Sequence, residues 1–311
     1  MFFFFAALMV GSVSAAWLSR PKDSCLGHFN MKVNDKYTVL FDTGSDRAWI
    51  LSGSFRTSPR FFYPCMETLT YGVGHGRSTH VNSVTCTYTH MRSGLLHWSS
   101  NLQLVDSPVS QWNNDGIIGA ALSSGFASAF PNFTIIPRGD HYDLLNGDYV
   151  PRGSSCVQLP ITKRGRDTQK WIIKGSMSIE GMTETLEFET DTGFGPIAMT
   201  RRMFEVFTYL ISKRGGRVTS KVRGQYARTV ESCVKGTIPS VTYGFVSTDG
   251  RRFNHNVSGD MFTAYYGNGK CEVMIMVLAE LTYGYSYLGV PFLRHLSSRW
   301  QGRRQQLAFC N

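Results

Sequence analysis

LEFETDTGFGPIAMT (residues 186–200) decides the reading of this chain, because YTVLFDTGSDRAWI (residues 37–50) repeats its design. Each is a strand-like run that ends in Asp-Thr-Gly, at Asp42-Thr43-Gly44 and again at Asp191-Thr192-Gly193. In the later copy Leu186 and Phe188 alternate with Glu187 and Glu189, the period of two expected of a half-buried strand. At usual residue frequencies a chain of this length holds about 0.07 copies of Asp-Thr-Gly. Two copies in matching surroundings therefore point to an internal duplication.

The pattern extends outward from each motif. Asp115-Gly-Ile-Ile-Gly119 follows the first, and Tyr285-Ser-Tyr-Leu-Gly289 follows the second. Strand, Asp-Thr-Gly, long interval and apolar run closed by glycine thus occur in that order twice, which predicts two similar lobes. The expected division is an N-terminal lobe over residues 17–165 and a C-terminal lobe over residues 166–311, parted in the polar stretch around 162–167. The spacing of Met203, Phe204, Phe207, Leu210 and Ile211 predicts one helix over 202–213, ended by Gly215-Gly216. Elsewhere strand-forming residues dominate. With 42% hydrophobic residues, 17% charged residues and 31 glycines, the chain reads as a folded, mainly β protein.

Residues 1–16 carry an apolar run too short to span a bilayer, followed by small residues that suit cleavage. A signal peptide is expected there. No later stretch is long and apolar enough for a transmembrane helix. The expectation is a protein secreted or held in the secretory or endolysosomal route, without stable membrane insertion. Of the seven cysteines none forms a Cys-x-x-Cys pair, so disulfides are expected rather than a zinc ribbon. Asn132 and Asn256 head glycosylation sequons.

The net charge of +10 reads as a basic, solvated surface able to steer acidic partners. Lys and Arg are not interleaved with aromatics along one element, so nucleic acid is not an expected partner. His75, His80, His90 and His97 match no metal-ligand spacing, and no metal or cofactor is expected. A Gly-x-Ser-x-Gly nucleophile elbow is absent.

An Asp-Thr-Gly at a strand end offers a carboxylate, a hydroxyl that can tie one loop to another, and a glycine that lets backbone amides approach. If two such loops meet, their carboxylates come within hydrogen-bonding reach. Two carboxylates that close share one proton and titrate in separated steps. The ionised member can then take a proton from water while the protonated member donates to a carbonyl oxygen, which hydrolyses a peptide bond without metal or covalent intermediate.

These motifs resemble those of the pepsin-like aspartic peptidases, over nearly all of the mature length. FDTGS (residues 41–45) followed by Trp49 is similar to that family's first catalytic loop, LTYGVG (69–74) to its flap, and DTG (191–193) to its second loop. DGIIG (115–119) and YLG (287–289) are similar to the runs that thread between the loops, and WIIKGSMSIEG (171–181) to the opening of the second lobe. The resemblance implies a bilobal acid-protease fold with a cleft between pseudo-symmetric lobes, acting as a monomer on a peptide or protein substrate. It implies Asp42 and Asp191 as the catalytic pair, and a Ser45 hydroxyl bonded to Asp42. It implies Tyr71 at the flap tip bonded to Trp49, and Gly44, Gly74 and Gly193 beside substrate backbone. Cys233 and Cys271 match the family's C-lobe disulfide.

The chain departs from the family at Phe194, where a Ser or Thr hydroxyl usually supports the second carboxylate, and at Gly195. Losing one hydrogen bond to a carboxylate is worth about 1.5–3 kcal/mol and should raise the pKa of Asp191. Too few residues separate Ala16 from Asp42 for an inhibitory propeptide. These departures leave two readings: an aspartic endopeptidase, or a catalytically impaired relative that binds peptides or proteins in its cleft. A homodimer of single-motif chains is disfavoured, because both motifs lie in one chain.

Overall fold

The computed structural model describes residues 15–19, 29–51, 63–73, 77–105, 114–162, 169–218, 226–227, 230–232, 236–267, 269–278 and 286–311. Its side chains are described for the same residues except 63–73, 77–85, 218, 226–227, 230–232, 266–267 and 270. The fold is mainly β. The first half supplies β1 (Ala15–Ser19), β2 (Asn30–Val33), β3 (Tyr37–Asp42), β4 (Ala48–Leu51), β5 (Tyr63–Val73), β6 (Arg77–Ser93), β7 (Leu96–Val105) and β8 (Gly116–Gly119). After the short α1 (Gly125–Ala129) come β9 (Asn132–Arg138), β10 (His141–Asn146) and β11 (Cys156–Pro160).

The second half opens with β12 (Ile172–Ile179), β13 (Met182–Thr190), β14 (Ile197–Thr200) and α2 (Arg201–Lys213). Short strands follow: β15 (Arg217–Val218), β16 (Tyr226–Ala227), β17 (Val230–Ser232), β18 (Val241–Val246), β19 (Arg252–Val257), β20 (Thr263–Gly267), β21 (Lys270–Val273), β22 (Ile275–Leu278) and β23 (Ser286–Leu288). The chain closes with α3 (Val290–Leu293), β24 (Ser297–Gln301) and β25 (Gln306–Cys310).

The duplication is visible in the pairing. β3 runs parallel to β8, with Asp42 opposite Gly119. β13 runs parallel to β23, with Thr190 opposite Leu288, which brings the next residue, Asp191, to the end of that pair. Parallel neighbours need long crossovers and are normally buried on both faces. All four residues of β8 are buried accordingly. Each Asp-Thr-Gly therefore leaves the end of a strand held by an apolar partner.

One sheet of 13 strands runs β11-β25-β24-β9-β10-β1-β2-β3-β8-β4-β7-β6-β5. A five-stranded sheet, β19-β18-β12-β13-β23, carries the second motif. The last two strands of the chain join the first sheet: β24 pairs with β9 and β25 with β11. Trp171, Trp300 and Phe133 pack where these parts meet, with Trp171 edge-on to Trp300 at 5.2 Å and Phe133 stacked on Trp300 at 5.5 Å. All three are essentially inaccessible, and such rings carry much of the apolar burial of a core.

Sequence expectation and structure differ in instructive places. The helix starts one residue earlier than the spacing predicts. Thr200 accepts from the Met203 amide through its side chain as N-cap, and Gly215 takes a left-handed φ of +81° at the other end. The alternation expected of β13 holds only at its outer end, since Phe188, Glu189 and Thr190 are all buried. There the strand lies between β12 and β23 and has no solvent face. β1 begins at Ala15, and Ala15 and Ala16 pair with Leu145 and Leu144, inside the span expected of a signal peptide.

Cys156 and Cys310 form a disulfide across β11 and β25. Cys86 and Cys271 each take part in a disulfide as well, with partners whose side chains lie outside the described set. Cys233, the expected partner of Cys271, lies outside the described residues. Among the described residues no helix is long and apolar enough to cross a membrane.

Candidate active site

The two Asp-Thr-Gly loops meet back to back. The Thr43 amide donates to Thr192 Oγ1 at 3.0 Å, and the Thr192 amide donates to Thr43 Oγ1 at 3.0 Å. Each hydroxyl donates onward, Thr43 Oγ1 to the Thr190 carbonyl at 2.9 Å and Thr192 Oγ1 to the Phe41 carbonyl at 2.6 Å. Both threonines are fully buried. Every donor and acceptor in this knot is paired, as a buried polar network must be if it is to rigidify a site.

The knot fixes two carboxylates. Asp42 Oδ1 accepts from the Gly44 amide at 2.9 Å, and Asp191 Oδ1 accepts from the Gly193 amide at 2.8 Å. The two carboxyl groups lie side by side, close enough for one to act on the ionisation of the other. Burial raises the pKa of Asp42 well above its ordinary value, and the neighbouring Asp191 carboxylate raises it further. Asp42 is 7% exposed, whereas Asp191 is half-buried.

Each loop glycine faces the opposite carboxylate. A Cβ on Gly44 would lie 2.5 Å from Asp191 Cγ, and one on Gly193 would lie 2.6 Å from Asp42 Cγ. No other residue leaves room for this approach. Beyond the glycines the loops keep the same backbone bonds. Ser45 N donates to the Asp42 carbonyl at 3.4 Å and Phe194 N to the Asp191 carbonyl at 3.3 Å. The Ser45 carbonyl accepts from Ala121 N at 3.0 Å, the Phe194 carbonyl from Val290 N at 2.8 Å. Ser45 and Phe194 are counterparts.

Their side chains are not. The Phe194 ring stacks on Tyr287, with centroids 4.7 Å apart and planes 23° apart. Aromatic stacking fixes a ring at little cost, and Tyr287 on β23 gives this one its place. Among the described residues no hydrogen bond joins the Ser45 hydroxyl to Asp42, whose Oδ1 accepts from the Gly44 amide instead. The support expected from Ser45 is supplied here by the backbone.

Trp49 is fully buried on β4, opposite Ile117 of β8. Tyr71 lies on β5 opposite Thr79 of β6 in an antiparallel hairpin, with its side chain outside the described set. Gly74 lies outside the described residues. Of the sequon asparagines, Asn256 is exposed on the edge strand β19. Asn132 is half-buried between β10 and β24, and its Oδ1 is sealed from solvent without a partner.

Sequence reasoning missed two charged residues at the site. Glu189, two residues before Asp191, is 1% exposed and accepts from Lys170 Nζ at 2.7 Å. Lys170 Nζ also lies 3.5 Å from the Gly44 carbonyl. In the sequence Glu189 alternates with Phe188 as a solvent-facing residue would, so no signal set it apart. In comparisons with known proteins, no family model and no curated sequence matches this chain.

Proposed function

We propose that this protein is a secreted aspartic endopeptidase of the pepsin-like type, bilobal, with the catalytic pair Asp42 and Asp191 between the lobes. The observation that carries the reading is the reciprocal Thr43–Thr192 bonding, which brings the two carboxyl groups side by side. A structural aspartate gains nothing from a second carboxylate at hydrogen-bond distance. The mutual repulsion is tolerated where chemistry uses it.

In the proposed reaction a water lies between the carboxyl groups. The ionised carboxylate removes its proton as the oxygen attacks the scissile carbonyl. The protonated carboxyl donates to the carbonyl oxygen, giving a tetrahedral diol. Collapse of the diol returns a proton to the leaving amine and regenerates the pair with one proton. Neither metal nor covalent intermediate takes part. Because one proton must remain on the pair, activity belongs to acidic pH.

A second reading, binding without cleavage, is favoured by Phe194, which brings no hydroxyl to the second loop. A mixed peptide library separates the two. Internal cuts beside apolar residues, mapped by mass spectrometry and blocked by pepstatin, support the endopeptidase. Uncut peptides, from a protein that still binds pepstatin, support the binding protein.

A further inference from the structure

Glu189 is the most deeply buried carboxylate beside the two aspartates, and the reaction proposed above does not use it. At 1% exposure it needs a compensating charge. Lys170 supplies one at 2.7 Å. The lysine is delivered by a fixed point of the core: the next residue, Trp171, is fully buried, its indole donates to the Ala120 carbonyl at 2.9 Å, and its carbonyl accepts from Thr190 N at 2.9 Å. From there Lys170 Nζ reaches the Gly44 carbonyl at 3.5 Å. Gly44 in turn donates its amide to Asp42.

One side chain therefore spans the loop that holds Asp42 and the strand that delivers Asp191. We propose that Lys170, held by Glu189, is a positioning residue of the aspartate pair. It ties the two loops together and supplies the positive charge that the second loop, with Phe194 in place of a hydroxyl, lacks. The inference rests on the peptidase reading only for its catalytic consequence.

Among the described residues, the charged and titratable groups around the pair are these. Lys170 faces Glu189 from β13, Tyr287 from β23 and Asp191 from the second loop. Asp42 faces Asp191 and Glu189. Burial alone would lower the pKa of Lys170, but Glu189, with Tyr287 and Asp191, more than offsets it and the lysine stays charged. Glu189 opposes ionisation of Asp42. Lys170 carries the opposite charge beside the same pair, so removal of either member of the ion pair should act on the aspartates with opposite sign.

The test is a carbon-13 NMR titration of the aspartate carboxyl carbons in the full chain, with Asp42 and Asp191 assigned through Asp→Asn variants. Lys170→Met should raise the apparent pKa values of the pair, and Glu189→Gln should lower them, each by on the order of one pH unit. Lys170→Arg should restore them. The double variant Lys170→Met/Glu189→Gln should return close to wild type and also guards against misfolding of the single one. Shifts of the same sign in both single variants, or none in Glu189→Gln, would overturn the proposal. This readout needs no turnover. Expected shifts in a protein that cleaves nothing would keep the role of Lys170 and remove the peptidase reading. Cleavage without the shifts would do the reverse.

Discussion

Thr43 and Thr192 each donate a backbone amide to the other's hydroxyl, both at 3.0 Å, and this exchange fixes the distance between Asp42 and Asp191. The two threonines lie one residue after the two aspartates, so any slip between loops is felt directly at the carboxyl groups. The fold supports the exchange from both sides, through β8 beneath the first loop and β23 beneath the second.

Thr43→Val and Thr192→Val keep shape and delete the hydroxyl. Each should leave a buried amide and a buried carbonyl unpaired and cost about 3 kcal/mol in urea unfolding. Thr→Ser at either position keeps the bonds and should cost far less. Equal losses for Val and Ser would mean that the methyl packing, not the hydrogen bonding, holds the loops.

Gly44→Ala and Gly193→Ala test the close approach of backbone to carboxylate. The added Cβ would stand 2.5 Å from Asp191 Cγ or 2.6 Å from Asp42 Cγ, so the pair must move apart. Cleavage should fall more than about tenfold, a cost above 1.4 kcal/mol in the transition state, while the fold survives. Thermal melting measured beside the cleavage rate separates the two effects.

Much of this site was legible in the sequence, and the reason is local. Asp42, Thr43, Gly44 and their repeats at 191–193 act through their own backbone and through each other. Phe194 was legible as a missing hydroxyl, but its stacking on Tyr287 depends on a strand nearly a hundred residues away. The Lys170–Glu189 pair was hidden for the same reason. Glu189 fits an alternating strand by its type, and only the flanking β12 and β23 deny it solvent. Cysteine counting could not select Cys156 with Cys310, because that bond follows from the last strand returning to β11.

The pH dependence of stability should show two opposed slopes. The pKa of Asp42 is raised above 3.8 by burial and by Asp191, so the folded state holds a proton that the unfolded chain releases. Its contribution is full below 3.8 and is lost as pH rises towards the folded value. Asp42→Asn should abolish that loss. His255 works the other way. Burial, with His295 nearby, lowers its pKa from 6.5 to about 4, so stability falls as pH drops from 6.5 towards 4. Its ring packs edge-on to Phe292 at 5.2 Å, and His255→Phe should flatten the acid side of the curve. Chemical denaturation at closely spaced pH values reads both slopes. A curve unchanged in either variant would refute that residue's share.

The Cys156–Cys310 bond closes a sequence separation of 154 residues. On the loop-entropy model such a bond contributes up to about 5 kcal/mol. Cys156→Ser/Cys310→Ser should lower the melting temperature markedly and leave the Thr43–Thr192 exchange, hence the pH profile of cleavage, in place. A changed profile at unchanged stability would mean that the bond acts on the site instead.

The most direct measurement is cleavage of an unfolded protein substrate from about pH 2 to 7 by wild type and by Asp191→Asn, each shown to be folded by circular dichroism. The account predicts cleavage by wild type on the acidic side, where the pair holds one proton, and none by the variant at any pH. Cleavage that persists in Asp191→Asn, or a folded wild type that cuts nothing across the range, would contradict it.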